Sequence, residues 1–209
     1  MSLFLGKIHY LLYDKILWFE SLENEIVKWA NENSLPVDQW LSEMNRSYGE
    51  TTGAVPLEDI VDTSNIHGWL QGKISIAEAR QAYLVTRIIQ LNPEYKENLK
   101  EVFYIQGKLA AADFKDEVLE TPEQVYDALN EYILEGMPCD RVNQVLESNN
   151  NLILWQRTTC LHEKFWTDVK GNVSNFYELR EAWVKSFVSS LEGDFQYESV
   201  SEDTQKIFK

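Results

Sequence analysis

The amino-acid sequence predicts an all-α protein: a multi-helix bundle packed around its N-terminal helix, with no sheet. Three observations carry that expectation. A long apolar stretch, Leu3 to Trp29, opens the chain. Helix-start signals recur along it. No segment alternates strictly between apolar and polar residues between turn signals.

Between Leu3 and Phe19 the only charges are Lys7, Asp14 and Lys15, and apolar groups fall on every side of the helical wheel. A helix apolar all round is expected to be buried. From Leu22 onward the stripe narrows to Leu22, Ile26 and Trp29, so the second half is expected to reach the surface. Asn31 to Ser34 ends this helix. Leu35-Pro36 starts a short one through Trp40, Leu41 and Met44, since Pro is tolerated in a first turn. Residues 45–56 have loop composition. Leu57 to Val61 reads as one or two helical turns, and Ile66 to Leu70, closed by Gly72, as a short element. Ser75 with Glu78 forms a capping box that opens a helix to Leu91. Asn92-Pro93 restarts the chain as a helix to about Phe114.

Thr121-Pro122-Glu123-Gln124 is a further capping box, and Gly136 and Pro138 stop the helix it begins. Arg141 to Ser148, Leu152 to Val169 and Ser174 to Leu191 read as the remaining helices, with Asn149-Asn150-Asn151 as a break. The reading is one all-helical domain over residues 1–193, followed by a polar, loosely attached tail over 194–209.

Composition narrows the classes of function. The chain has 209 residues and a formal charge of −15, which disfavours phosphate backbones and anionic membrane surfaces, so neither nucleic acid nor membrane is an expected partner. No run approaches the roughly 18 apolar residues of a spanning helix. Two cysteines, Cys139 and Cys160, make no disulfide framework, and the N-terminus lacks the marks of a signal peptide. A cytoplasmic setting with free thiols is the expectation.

The three histidines, His9, His67 and His162, each stand among large apolar side chains. Imidazole is the commonest neutral metal ligand, and three from separate segments with one water make a catalytic type of site. Their convergence on a divalent transition metal in the bundle core is therefore one expectation. The other is that His162 and His9 are core residues hydrogen-bonded to a carbonyl or hydroxyl, with His67 in a capping or surface role. On a helix His162 would share a stripe with Trp155 and Trp166, which with Trp69 would wall a cofactor or small-ligand site. Cys160 and His162, two apart, would point opposite ways unless the helix is broken there. Cys139, in a Gly/Pro corner, is the candidate nucleophile, with His67 or His162 as base. His-x-x-x-His and Glu-x-x-His are absent, so likeness to hemerythrin-type and DinB-type metal bundles extends only to architecture.

The corner Glu135-Gly136-Met137-Pro138-Cys139-Asp140-Arg141 resembles the Glu-Pro-x-Asp-His corner of TorD-like redox-enzyme chaperones. Those are likewise acidic, all-helical and of this length. The Pro spacing differs, and Arg141 stands where that corner has His. The resemblance implies a non-catalytic interaction protein with a protein partner and no metal. The sequence thus supports two expectations: a helical protein with a metal or small ligand in an internal His- and aromatic-lined site, or an acidic chaperone- or adaptor-like protein.

Overall fold

The structure, a computed structural model, describes residues 5–209. Leu3 and Phe4 of the opening stretch lie outside the described residues. Helix α1 (Lys7–Glu32) is followed by α2 (Val37–Tyr48), the short α3 (Leu57–Ile60), the long α4 (Ile66–Leu91) and α5 (Tyr95–Ala111). Then come α6 (Pro122–Leu129) and the first hairpin, β1 (Asn143–Asn149) with β2 (Leu152–Arg157). Helices α7 (Glu163–Asp168) and α8 (Val173–Ser190) lead to a second hairpin, β3 (Gln196–Ser199) with β4 (Thr204–Phe208).

The four strands form one antiparallel sheet in the order β1-β2-β4-β3. This overturns the expectation of an all-α bundle without a sheet. Arg141 to Ser148 is mostly strand, not helix, and Leu152 to Arg157 is the strand that pairs with it. The stretch 194–209 holds both strands of the second hairpin, with Ile207 fully buried and Phe195 nearly so. The physical reason is local. Asn150-Asn151 is a two-residue turn that joins β1 to β2, and Asn is at home in such hairpin loops. Ile153 and Trp155 then face inward with a period of two.

The N-terminal helix is not the centre either. The most extensive helix pairing is α5 with α8. Gly107 makes it possible: a Cβ there would strike the backbone carbonyl of Trp183 on α8. Beside the crossing, the buried Trp183 indole donates to Gln106 Oε1 at 2.9 Å, and Gln106 Nε2 donates to the Trp18 carbonyl on α1 at 3.0 Å. Helix α1 itself exposes Ile8 and Tyr10 in its apolar half, while its second half buries Leu22, Glu23, Ile26 and Ala30. The first half also buries Leu12, Tyr13 and Ile16, and in the second the expected stripe of Leu22 and Ile26 is buried with Glu25, Lys28 and Glu32 exposed, so the helix buries one face along its length instead of being enclosed in its first half.

Helix α4 starts earlier than the Ser75 box suggests. Asn65 caps it by accepting from Gly68 N at 3.1 Å, so Ile66 to Leu70 is its first turn. Ser75 lies inside the helix, where its hydroxyl donates to the Gln71 carbonyl. The Thr121 box does open α6. Residues 49–56 are held against α1: Glu20 accepts from Thr52 N at 2.8 Å and from its hydroxyl at 2.9 Å, and Tyr13 donates to the Val55 carbonyl at 2.6 Å.

Candidate functional site: a cleft over a buried His–Glu–Arg cluster

The sheet, α6 and α8 enclose a cleft of about 610 Å³. Its size falls within the roughly 300–1,000 Å³ usual for small-ligand sites. One wall is aromatic. Tyr126 on α6, Trp155 on β2 and Tyr197 on β3 run in series, with ring centroids 4.7 and 6.3 Å apart. Strand geometry explains this: Trp155 is on the inward face of β2, which pairs with β4, itself paired with β3. The other wall carries Tyr177 on α8, with the Arg157 guanidinium over its ring at 3.6 Å. Arg157 is positioned by the strand end, where its amide donates to the Asp203 carbonyl and its Nη2 to the Glu202 carbonyl.

The floor is polar. Arg180 on α8 donates to the Leu134 carbonyl at 2.8 Å and to Glu135 Oε1. Glu135 Oε2 lies 3.3 Å from His162 Nε2. On the far side of the ring, His162 Nδ1 lies 2.9 Å from Glu78 Oε1 on α4. That approach is out of line for a hydrogen bond, and both His162 Nδ1 and Glu78 Oε2 are buried without a hydrogen-bond partner. The imidazole packs on Phe176 at a centroid distance of 4.1 Å. Burial pulls the Arg180 guanidinium down to about 10, with Glu78 and Tyr197 pulling the other way, so it stays charged at neutral pH. Burial is also the main cause that holds the Tyr177 and Tyr197 hydroxyls well above their usual range, so both remain protonated donors.

Gly136 is the hinge of this floor. Its φ of +72° turns the chain directly after Glu135, and a Cβ there would meet Leu161 and the Asp140 carboxylate. Asp140 closes the corner by accepting from Met137 N at 2.8 Å. Residues 138–140 form a short 3-10 turn.

The sequence-predicted residues separate. His9 and His67 do meet, with their Nε2 atoms 3.2 Å apart. His9 Nδ1 accepts from Gly6 N, so its proton is on Nε2 and is donated to His67. His162 instead belongs to the cluster with Glu78, Glu135 and Arg180. Among the described residues, no group of three or more His, Cys, Asp or Glu side chains is placed to hold a metal ion. Of the three tryptophans, only Trp155 lines the cleft. Trp166 is buried against Phe176, and Trp69 packs on Tyr13 beside Lys73. Cys139 is exposed on the 3-10 turn and does not line this cleft.

On a continuous helix Cys160 would point away from His162. The helix is broken there: residues 158–162 are irregular, and Cys160 faces the cleft. In the sequence Glu78 reads as the partner of Ser75 in a capping box and Glu135 as part of the Gly/Pro corner; nothing local joins either to Arg180, because the three stand on separate segments. Compared with family models, curated proteins and solved structures, the chain matches none. Among the described residues no helix is long and apolar enough to cross a membrane.

Proposed function

We propose that this protein binds a small organic molecule with a flat ring in the cleft between α6, α8 and the sheet. The observation that carries the reading is the combination in one hollow of three serial rings and the Arg157 guanidinium with a polar floor that holds Arg180 and Glu135. Rings supply apolar contact at little entropic cost, and a few fixed polar groups give orientation. Arg157 lines the cleft, stacked on Tyr177 with Nη2 on the Glu202 carbonyl, and its guanidinium is the anchor for a carbonyl or carboxylate oxygen. His162 is too deeply buried to touch a ligand; it positions Glu135 and Arg180, which do line the cleft.

A second reading, docking of a protein partner, is favoured by one observation. Ile105 and Leu109 stand one turn apart on α5 and are 51% and 57% exposed. One titration separates the two readings. The fluorescent dye anilinonaphthalene sulfonate, a flat aromatic anion, is added to the folded protein. Under the cleft reading, signal is lost in Trp155→Ala and Arg157→Ala and kept in a variant with Ile105→Lys and Leu109→Lys. The reverse pattern, in variants that melt like the wild type, overturns the cleft reading.

A further inference from the structure

Cys160 stands where two hollows meet. It lines the cleft described above and also a second, more open one of about 700 Å³, which includes Glu78, Asp140, Glu163 and Asp168. Its thiol is half-buried and not part of a disulfide. The Tyr177 hydroxyl donates to Sγ at 3.1 Å. That donor is held protonated by its own burial, and the Arg157 guanidinium above its ring polarises it further.

An independent observation marks the same spot. Glu78 lines the second hollow, is only 2% exposed, and has one carboxylate oxygen with no partner. An unsatisfied buried carboxylate is costly and calls for an explanation. It is the kind of group kept at a site rather than in a core.

We propose that Cys160 is a nucleophilic thiol that accepts the acyl group of a small carbonyl compound bound where the two hollows meet, with the Tyr177 hydroxyl as its hydrogen-bond donor. The proposal rests on the ligand-binding reading of the cleft. A redox role is not favoured, because it needs a resolving thiol, and the other cysteine, Cys139, lines neither hollow.

The step balances without a further reactant. The Cys160 thiol gives its proton to solvent, and the thiolate sulfur forms a bond to the carbonyl carbon. The bond from that carbon to the leaving oxygen breaks, and the leaving group departs with the electron pair as a stabilised oxyanion. Arg157 is the group within the cleft that can hold the carbonyl or carboxylate oxygen of the bound molecule. Water then adds to the thioester, the carbon–sulfur bond breaks, the thiol regains a proton and the carboxylic acid is released.

The test uses the full chain and the probe 4-nitrophenyl acetate, with peptide mass spectrometry to locate the acetyl group. The expected result is a rapid release of 4-nitrophenolate matched by acetyl on Cys160. Release persists in Cys139→Ser and disappears in Cys160→Ser. Tyr177→Phe, checked by circular dichroism to be folded, is expected to slow acetylation by about tenfold, the usual effect of losing one hydrogen bond to a charged group. Acetyl found only on Cys139, equal labelling of both thiols, or an undiminished rate in Cys160→Ser overturns the proposal. Binding of the dye to the wild-type protein is a separate readout. If wild-type protein binds the dye but Cys160 is not acetylated, the thiol proposal falls and the binding reading stands.

Discussion

Glu78 Oε1 and His162 Nδ1 stand 2.9 Å apart in the interior, yet no hydrogen bond joins them. The two groups come from segments more than eighty residues apart in the chain and are 2% and 1% exposed. Glu78→Gln replaces the carboxylate with a group that can donate to Nδ1. It is expected to leave the unfolding free energy unchanged or raised, since removing a buried charge relieves desolvation. His162→Ala removes the ring from Phe176 and strips Glu135 of its neighbour, at an expected cost of about 3–5 kcal/mol. Urea unfolding of the two variants beside the wild type checks both. A Glu78→Gln variant as damaged as His162→Ala contradicts this account.

The buried pair of Arg80 and Glu23 ties three helices together. Arg80 Nη2 meets Glu23 Oε1 on α1 at 2.6 Å, while its Nη1 reaches Asn45 Oδ1 and the Gly49 carbonyl at the end of α2. Both side chains are nearly inaccessible. Glu23→Ala leaves a guanidinium buried without its partner and is expected to cost about 3–5 kcal/mol. Replacing both, Glu23→Leu with Arg80→Met, is expected to recover most of that loss. A double-mutant cycle by chemical denaturation reads the difference.

Gly107 is the contact point of the α5–α8 crossing. Because a Cβ there meets backbone rather than a movable side chain, Gly107→Ala forces the helices apart. The helix-propensity gain of Ala, about 1 kcal/mol, is expected to be outweighed by an overpacking cost of about 1–3 kcal/mol. The Gln106–Trp183 hydrogen bond beside it should loosen at the same time. A lowered melting temperature with a shifted tryptophan emission is the expected signature; a rise in melting temperature is not compatible with this packing.

Glu20 makes a pH-dependent contribution whose sign follows from its surroundings. Burial pushes its carboxyl above the ordinary 4.5, against the two Thr52 hydrogen bonds that pull it down. A group whose folded pKa is raised favours the folded state below its unfolded pKa, and that contribution is lost as pH rises through the folded value. Stability from this group therefore falls on going upward from about pH 4.5. Glu20→Gln is expected to flatten that part of the stability–pH curve, measured by urea unfolding in steps across the window. A curve of unchanged slope counts against it.

The first two-thirds of the fold was legible because helix signals there are local. The Thr121 box and the Asn31–Ser34 stop depend only on neighbours, and both stand near where the residues put them. The sheet was not legible. Leu152-Ile153-Leu154-Trp155 has apolar residues on both faces, so its period of two is invisible until Ile207 and Trp155 are seen to share one side. A bulge between Val145 and Glu147 further breaks the alternation of β1. The site was half legible. His162 stood out as a polar group in an apolar setting, but its partners Glu78 on α4, Glu135 in the Gly/Pro corner and Arg180 on α8 are far apart in sequence and meet only through tertiary packing. The break at residues 158–162 that lets Cys160 reach the cleft carries no Gly or Pro to mark it.

Strand β4 lies between β2 and β3, so the sheet is sewn shut by residues that come after α8, while its other half comes before α7. Any molecule resting against Trp155 and Tyr197 bridges that seam. Its occupancy and the docking of the second hairpin are then thermodynamically linked, because what favours one favours the other. Amide protons of the β2–β4 ladder, between Leu152 and Phe208 at one end and Gln156 and Thr204 at the other, would exchange with deuterium more slowly in the liganded protein. The seam thus doubles as a built-in reporter of whether the hollow is filled.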